Sequence, residues 1–129
     1  MKTTQLPVFR KMYDLTLMLM RLQNKFPKQY KYNLGDRLVS TSLQLFTYLF
    51  TANRLYNNNE RRIEQLDLFL DGFDLLKVLI RLCNEERLFS MNDTANLALL
   101  TESITKQING WRTKSEKNID DSIETHNNQ

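Results

Sequence analysis

A single cysteine, a single histidine and a single tryptophan occur in 129 residues, together with only 3 glycines and 2 prolines. One cysteine cannot close a disulfide within its own chain, so a disulfide scaffold is excluded and a reducing compartment, the cytoplasm, is expected. Cys83 lies in the apolar run Leu79, Ile80, Leu82, the setting of a structural thiol packed as a small hydrophobe. His126, the lone histidine, stands beyond the last apolar pattern and offers no base to a folded pocket. The chain also lacks closely spaced Cys/His sets for zinc, the Glu-x-x-His pairs of di-iron bundles, a glycine-rich phosphate loop and a serine-centred nucleophile elbow. No enzymatic activity, metal or cofactor is therefore expected. No uncharged run approaches the ~18 residues of a membrane span, and Met1 to Pro7 holds no apolar signal core, so no membrane partner is expected. Scarce glycine and proline also mean few turns, which favours a handful of long helices over many short strands.

What is present repeats with a helical period. Val8, Met12, Leu15, Leu19, Leu22 and Phe26 recur at three- and four-residue spacing, which predicts a first helix from about Pro7 to Lys25. Pro7 suits a first turn, and Pro27 disfavours helix in the residue before it. Asn33 is the cap of a second helix with the stripe Leu34, Leu38, Thr41, Leu45, Leu49 and Ala52, running to about Leu55. A third carries Ile63, Leu66, Phe69, Leu70, Phe73, Leu76, Ile80 and Cys83 and fades near Glu85 to Arg87, with Gly72 marking a close approach of backbone. The fourth begins at Ser90 or Asn92 and places Leu97, Leu100, Ile104, Ile108 and Trp111 one turn apart. Four helices and three short connections predict an all-α, antiparallel up-down four-helix bundle over residues 1–115. Residues 116–129 hold four acids (Glu116, Asp120, Asp121, Glu124) against Lys117 and are expected to form a disordered tail.

A second apolar set lies about a third of a turn from the core stripes. It comprises Phe9, Tyr13, Leu17 and Met20 on the first helix and Val39, Leu43, Phe46 and Phe50 on the second. Either these residues widen one core, or they form a homo-oligomer interface, since a monomer rarely leaves so large a patch in water. The charges are also uneven. The whole chain carries +3, but residues 1–115 hold 17 basic and 11 acidic groups, a balance of +6. Arg10, Arg21 and Lys25 share a face of the first helix, interrupted by Asp14, and Lys28, Lys31 and Arg37 extend it through the turn. Phe26, Tyr30 and Tyr32 alternate with Lys28 and Lys31, a pattern suited to stacking on unpaired bases while lysines meet phosphates. Glu60, Glu64, Asp67, Asp71 and Asp74 form an acidic face on the third helix and read as solvated decoration rather than a metal site. Either those acids meet the bases, within or between subunits, or the bases are free for a phosphate backbone.

Several stretches carry a family likeness. Asn24, Lys25, Phe26, Pro27, Lys28, followed by Tyr32, Asn33, Leu34, Gly35, Asp36, Arg37, Leu38, resembles the junction of the first two helices in the accessory variability determinant family of diversity-generating retroelements. Ala52, Asn53 and Arg54, the run Leu75, Leu76, Val78, Leu79, Ile80, Arg81, Leu82, and Ile108, Asn109, Gly110, Trp111 agree with it, so the resemblance covers about residues 6–114. A related four-helix family, encoded in intervening sequences of bacterial large-subunit ribosomal RNA genes, shares the Phe-Pro turn. That family typically ends its second helix in an Ile-Ala-Glu-Gly-like stretch where this chain has Thr51, Ala52, Asn53, Arg54.

The resemblance implies a non-enzymatic four-helix bundle assembling into a basic, barrel-like pentamer. It implies as partners the retroelement's reverse transcriptase and its template RNA or RNA/DNA hybrid, in support of mutagenic cDNA synthesis and retrohoming. Carried over by position, Lys25, Lys28, Lys31, Arg37, Arg54 and Arg81 become RNA or polymerase contacts, joining Arg10 and Arg21 from the basic face. Phe26, Pro27, Leu34 and Gly35 shape the first junction, and Gly110 and Trp111 terminate and lock the last helix. The competing reading is an interaction scaffold of the ribosomal intervening-sequence type, in which the charged faces contact only protein.

Overall fold

The computed structural model describes residues 1–127, with side chains through Thr125, so the side chain of His126 lies outside it. Among the described residues there is no strand. A 3-10 turn at Thr3–Gln5 leads into α1 (Pro7–Asn24), the one-turn α2 (Lys28–Lys31), α3 (Leu34–Arg54), α4 (Asn59–Glu85) and α5 (Met91–Asn127). The four long helices form a bundle in which α1 and α4 each pack against α3 and α5. Direction alternates, as two tethers show. Asn53 at the end of α3 donates its side-chain amide to the Met1 carbonyl at 2.8 Å. At the other end the Tyr30 hydroxyl of α2 donates to Glu86, just past α4, at 2.7 Å.

The predicted stripes supply the core. Met12, Leu15 and Leu19 of α1, Leu38, Leu45 and Leu49 of α3, Phe69, Phe73 and Leu76 of α4, and Leu97, Ile104 and Ile108 of α5 are fully buried. In α3 the core position between Leu38 and Leu45 belongs to Ser42 rather than Thr41. Its hydroxyl is satisfied by donating to the Val39 carbonyl at 2.8 Å. Gly72 does mark a close approach, because a Cβ there would stand 2.7 Å from Leu45 Cδ2. Cys83 is fully buried, and burial pushes its thiol from 9.0 up to about 11.

That shift has a signed consequence. Well below pH 9 both folded and unfolded chains keep the proton, so it contributes nothing. As pH rises through 9 toward 11 the unfolded chain ionises first and stability falls, by about 3 kcal/mol at most. Denaturant titrations between pH 8 and 11 should show this slope in the native chain and lose it in Cys83→Ala.

Each helix end has a local cause. Pro7 occupies the first turn of α1, where its missing amide hydrogen is not needed. Asn33 caps α3 by accepting from the Leu34 amide, and Asn58 caps α4 by accepting from the Arg61 amide. α4 closes in a Schellman arrangement: the Leu88 amide reaches back to the Cys83 carbonyl and the Arg87 amide to that of Asn84, with Arg87 at φ 60°. Ser90 begins α5 through a reciprocal box, its hydroxyl accepting from the Asp93 amide while the Asp93 carboxylate accepts from the Ser90 amide.

The expected stop of the last helix at Gly110 and Trp111 is overturned. No described glycine has a positive φ, and no proline follows, so nothing breaks the hydrogen-bond ladder. Further contacts carry the helix on. Ser115 is buried and donates to the Trp111 carbonyl at 2.9 Å, and Arg112 binds Asp67 of α4 and Glu116 of its own helix. Residues 116–127, expected to be disordered, therefore continue α5, with Ile119 half-buried near the α3–α4 turn. A Cβ at Gly110 would meet no atom within 4 Å. Gly110→Ala should accordingly stabilise the fold by about 0.5–1 kcal/mol, raising the thermal midpoint by about 2–4 °C in circular dichroism.

Trp111 is half-buried against the core, and the Arg62 guanidinium lies 5.4 Å from its ring centroid. The same guanidinium donates to the Ala52 carbonyl at 2.8 Å and the Asn53 carbonyl at 3.4 Å, joining the end of α3, the start of α4 and the middle of α5. No described helix is long and apolar enough to cross a membrane.

Candidate nucleic-acid interface

The basic residues singled out in the sequence divide by position. The end of α1 carries Arg21 and Lys25, α2 carries Lys28 and Lys31, and the first turn of α3 carries Arg37. These five converge at one end of the bundle. Among the described residues none makes an ion pair, and all but the half-buried Lys31 are exposed. Arg81 reaches the same end on α4 but pairs with Glu85 at 3.4 Å. Arg10 lies roughly 16 Å below Arg21 at 1.5 Å per residue and pairs with Asp14 at 3.5 Å. Arg54 is at the far end of α3, where its nearest polar partner is the Thr51 hydroxyl at 3.4 Å. The structure thus brings together Arg21, Lys25, Lys28, Lys31 and Arg37 and sets Arg10 and Arg54 apart.

The acids of α4 do not quench this cluster. α4 stands diagonally across the bundle from α1, so Asp67 pairs with Arg112 of α5 and Asp74 with Lys77 of its own helix. Opposition of the two charged faces within one chain, one of the expected alternatives, is therefore not what the fold provides.

The polar ties that hold α2 were not legible from local sequence. Gln23 of α1 donates its side-chain amide to the Lys31 carbonyl at 2.8 Å and to Asp36 at 2.7 Å, clamping both ends of the turn. Gly35 makes room for that clamp, since a Cβ there would sit 2.8 Å from Gln23 Cγ. Tyr30 bonds Glu86 across 56 residues of sequence, and that bond keeps its phenol protonated above the ordinary tyrosine range. Neither tie belongs to a periodic pattern. Only the fold reveals them.

The interleaved aromatics are corrected in role. Phe26 is buried, its ring 5.9 Å from that of Phe89, and Tyr30 is half-buried against the core with its hydroxyl spent on Glu86, so Phe26 offers no open face for a base and Tyr30 only part of one. Tyr32 does offer one, being 65% exposed with the Lys31 ammonium 5.7 Å from its ring centroid. At the same end of the bundle a groove of about 570 Å³ opens between α1 and α5, lined by Leu17, Met18 and Leu100 together with Arg21 and Lys25. Asp93 on the opposite wall is engaged in capping α5.

The second apolar set is also divided. Phe9 packs its ring against Phe46 at 5.4 Å and Phe50 at 6.1 Å, so part of the set stitches α1 to α3 within the chain. Leu17, Val39 and Phe46 are likewise half-buried. Tyr13, Met20, Leu43 and Phe50 remain 40–50% exposed along the outer α1–α3 seam. The surface is thus divided: its inner residues widen the core, as one of the two alternatives expects, and its outer residues face away from it.

Among the described residues no group of histidine, cysteine or carboxylate side chains is arranged to hold a metal ion. Comparison with known proteins gave no match to a curated protein or to a solved structure. A family model described as bAvd-like matches residues 7–115, from the first residue of α1 to the buried Ser115 of α5. With nearly the whole packed bundle matched, the chain belongs to the bAvd-like family of accessory variability determinants.

Proposed function

We propose that this protein is a non-enzymatic accessory subunit of a diversity-generating retroelement. It works as a homo-oligomer, five copies being the number the family resemblance implies. It holds template RNA or an RNA/DNA hybrid for the reverse transcriptase during mutagenic cDNA synthesis. The observation that carries the reading is the convergence at the α2 end of five cations that make no ion pair among the described residues, with the exposed Tyr32 ring beside Lys31. Cations free of internal partners can neutralise phosphates and release counterions, and Tyr32 can stack on an unpaired base. Copies gathered through the exposed α1–α3 seam multiply that term. Arg10, Arg54 and Arg81, outside the cluster or already paired, play at most a secondary part in RNA contact.

Fluorescence anisotropy with a labelled single-stranded RNA, repeated from 50 to 300 mM salt, tests the reading. Affinity should fall steeply and linearly on logarithmic axes, with little dependence on sequence, and the protein should co-purify with the reverse transcriptase of its locus. Absence of RNA binding at 50 mM salt would remove the nucleic-acid role and leave only a protein scaffold.

A further inference from the structure

The bundle carries a second outward apolar surface, on α4. Leu68, Leu75, Val78 and Leu82 recur at helical spacing and are 41–52% exposed, opposite the buried Leu66, Phe69, Phe73 and Leu76. Glu64 and Asp71 lie in line with this stripe, and among the described residues neither makes an ion pair. The α1–α3 seam, with Tyr13, Met20, Leu43 and Phe50, looks another way, since α3 stands between α1 and α4. It is bordered by Arg10 and Arg54.

We propose that the α4 stripe is the counter-surface of the α1–α3 seam on a second copy of this chain, so that self-association joins two unlike faces. This rests on the homo-oligomeric part of the function proposed above and adds the missing half of the contact. Two arguments select this occupant. The first is charge. α4 begins where α3 ends, so Glu64 on the stripe lies near the level of Arg54 on the seam, while Leu75 and Val78 lie near the level of Met20 and Leu43. Side-by-side copies pointing the same way then set the Glu64 carboxylate beside the Arg54 guanidinium and apolar chains beside apolar chains. The second is coverage. A two-fold contact of seam on seam, or stripe on stripe, leaves the other surface in water, whereas an unlike contact uses both on every interior copy. Such a contact leaves one open face of each kind until the chain of copies closes on itself.

Two surface variants separate these arrangements. The stripe variant carries Leu75→Glu with Val78→Glu, and the seam variant Met20→Glu with Leu43→Glu. Native protein should run in light scattering as a multiple of 15.4 kDa, and each variant alone as a single chain. Mixed in equal amounts they should form a species of twice 15.4 kDa and nothing larger, the intact seam of one variant holding the intact stripe of the other. A stripe variant that keeps the native mass, a seam variant that keeps it, or a mixture that stays monomeric each overturns the proposal. Where circular dichroism shows that a glutamate pair has lost helix, the glutamine pairs at the same positions give the same readout. Native protein that assembles but ignores RNA discards the RNA-holding role and leaves this contact standing, whereas a native monomer that binds RNA does the reverse.

Discussion

Exchanging Arg21, Lys25, Lys28 and Lys31 together for glutamine is expected to lower RNA affinity by about two orders of magnitude or more near 0.1 M salt, and to reduce the slope of log affinity against log salt by about three. The estimate follows from counterion release. Each phosphate neutralised on a single strand contributes roughly 0.7 to that slope, and four are removed from every subunit. The exchange should leave the fold intact, because among the described residues none of the four makes an ion pair and none belongs to the core. Thermal midpoint and assembly mass should therefore match those of the native protein. Lys106→Gln with Lys114→Gln, which removes exposed charges from α5 away from α2, supplies the comparison. If it weakens RNA as much as the four-fold variant does, binding follows net charge rather than the α2 end. An unaltered affinity in the four-fold variant would exclude that end from RNA contact.

The second large effect concerns stability. Arg62→Ala should cost about 3 kcal/mol and lower the thermal midpoint by about 10 °C. Arg62 places a charged donor on the Ala52 carbonyl at 2.8 Å and on that of Asn53 at 3.4 Å, groups at the end of α3 where the Ala52 carbonyl otherwise takes only a 3.3 Å bond from the Leu55 amide. Charged hydrogen bonds of this kind contribute about 1.5 kcal/mol or more each, and the stacking on Trp111 adds about 0.5–1 kcal/mol. Partial burial also depresses the Arg62 pKa, though a guanidinium remains charged at any ordinary pH. Arg62→Lys should restore less than half the loss, since an ammonium cannot fork across two carbonyls while lying flat on the indole. Trp111→Ala in the Arg62→Ala background should cost less than in the native chain, and a double-mutant cycle gives the coupling directly. Strict additivity would show that the two side chains act separately.

These two predictions mark where sequence stops being sufficient. Core stripes, the Pro7 start and the Asn33 cap were readable because each depends on residues within one or two turns of one another. The full length of α5 was not, since Gly110 carries a local stop signal, while what carries the helix past it includes the grip of Arg112 on Asp67 of another helix. Arg62 on Trp111, Gln23 on Lys31 and Tyr30 on Glu86 join residues whose nearness only the packed bundle creates. The basic cluster was partly legible. The run from Lys25 to Arg37 is compact in sequence and stays compact in space, whereas Arg10 and Arg54 share its charge but not its place. The outward stripe of α4 is not legible in sequence because Leu75, Leu76, Val78, Leu79 and Leu82 form one dense apolar run. Only the burial of Leu76 and Leu79 separates the residues turned inward from those turned out.

The buried Cys83 has a practical outcome. Its thiol is fully enclosed and ionises well above neutral pH, so maleimide dyes and spin labels applied to the folded protein should pass it by. A cysteine introduced on the α2 turn would then be the sole reactive handle. Fluorescent reporters can be attached at one chosen spot without first engineering the native thiol away.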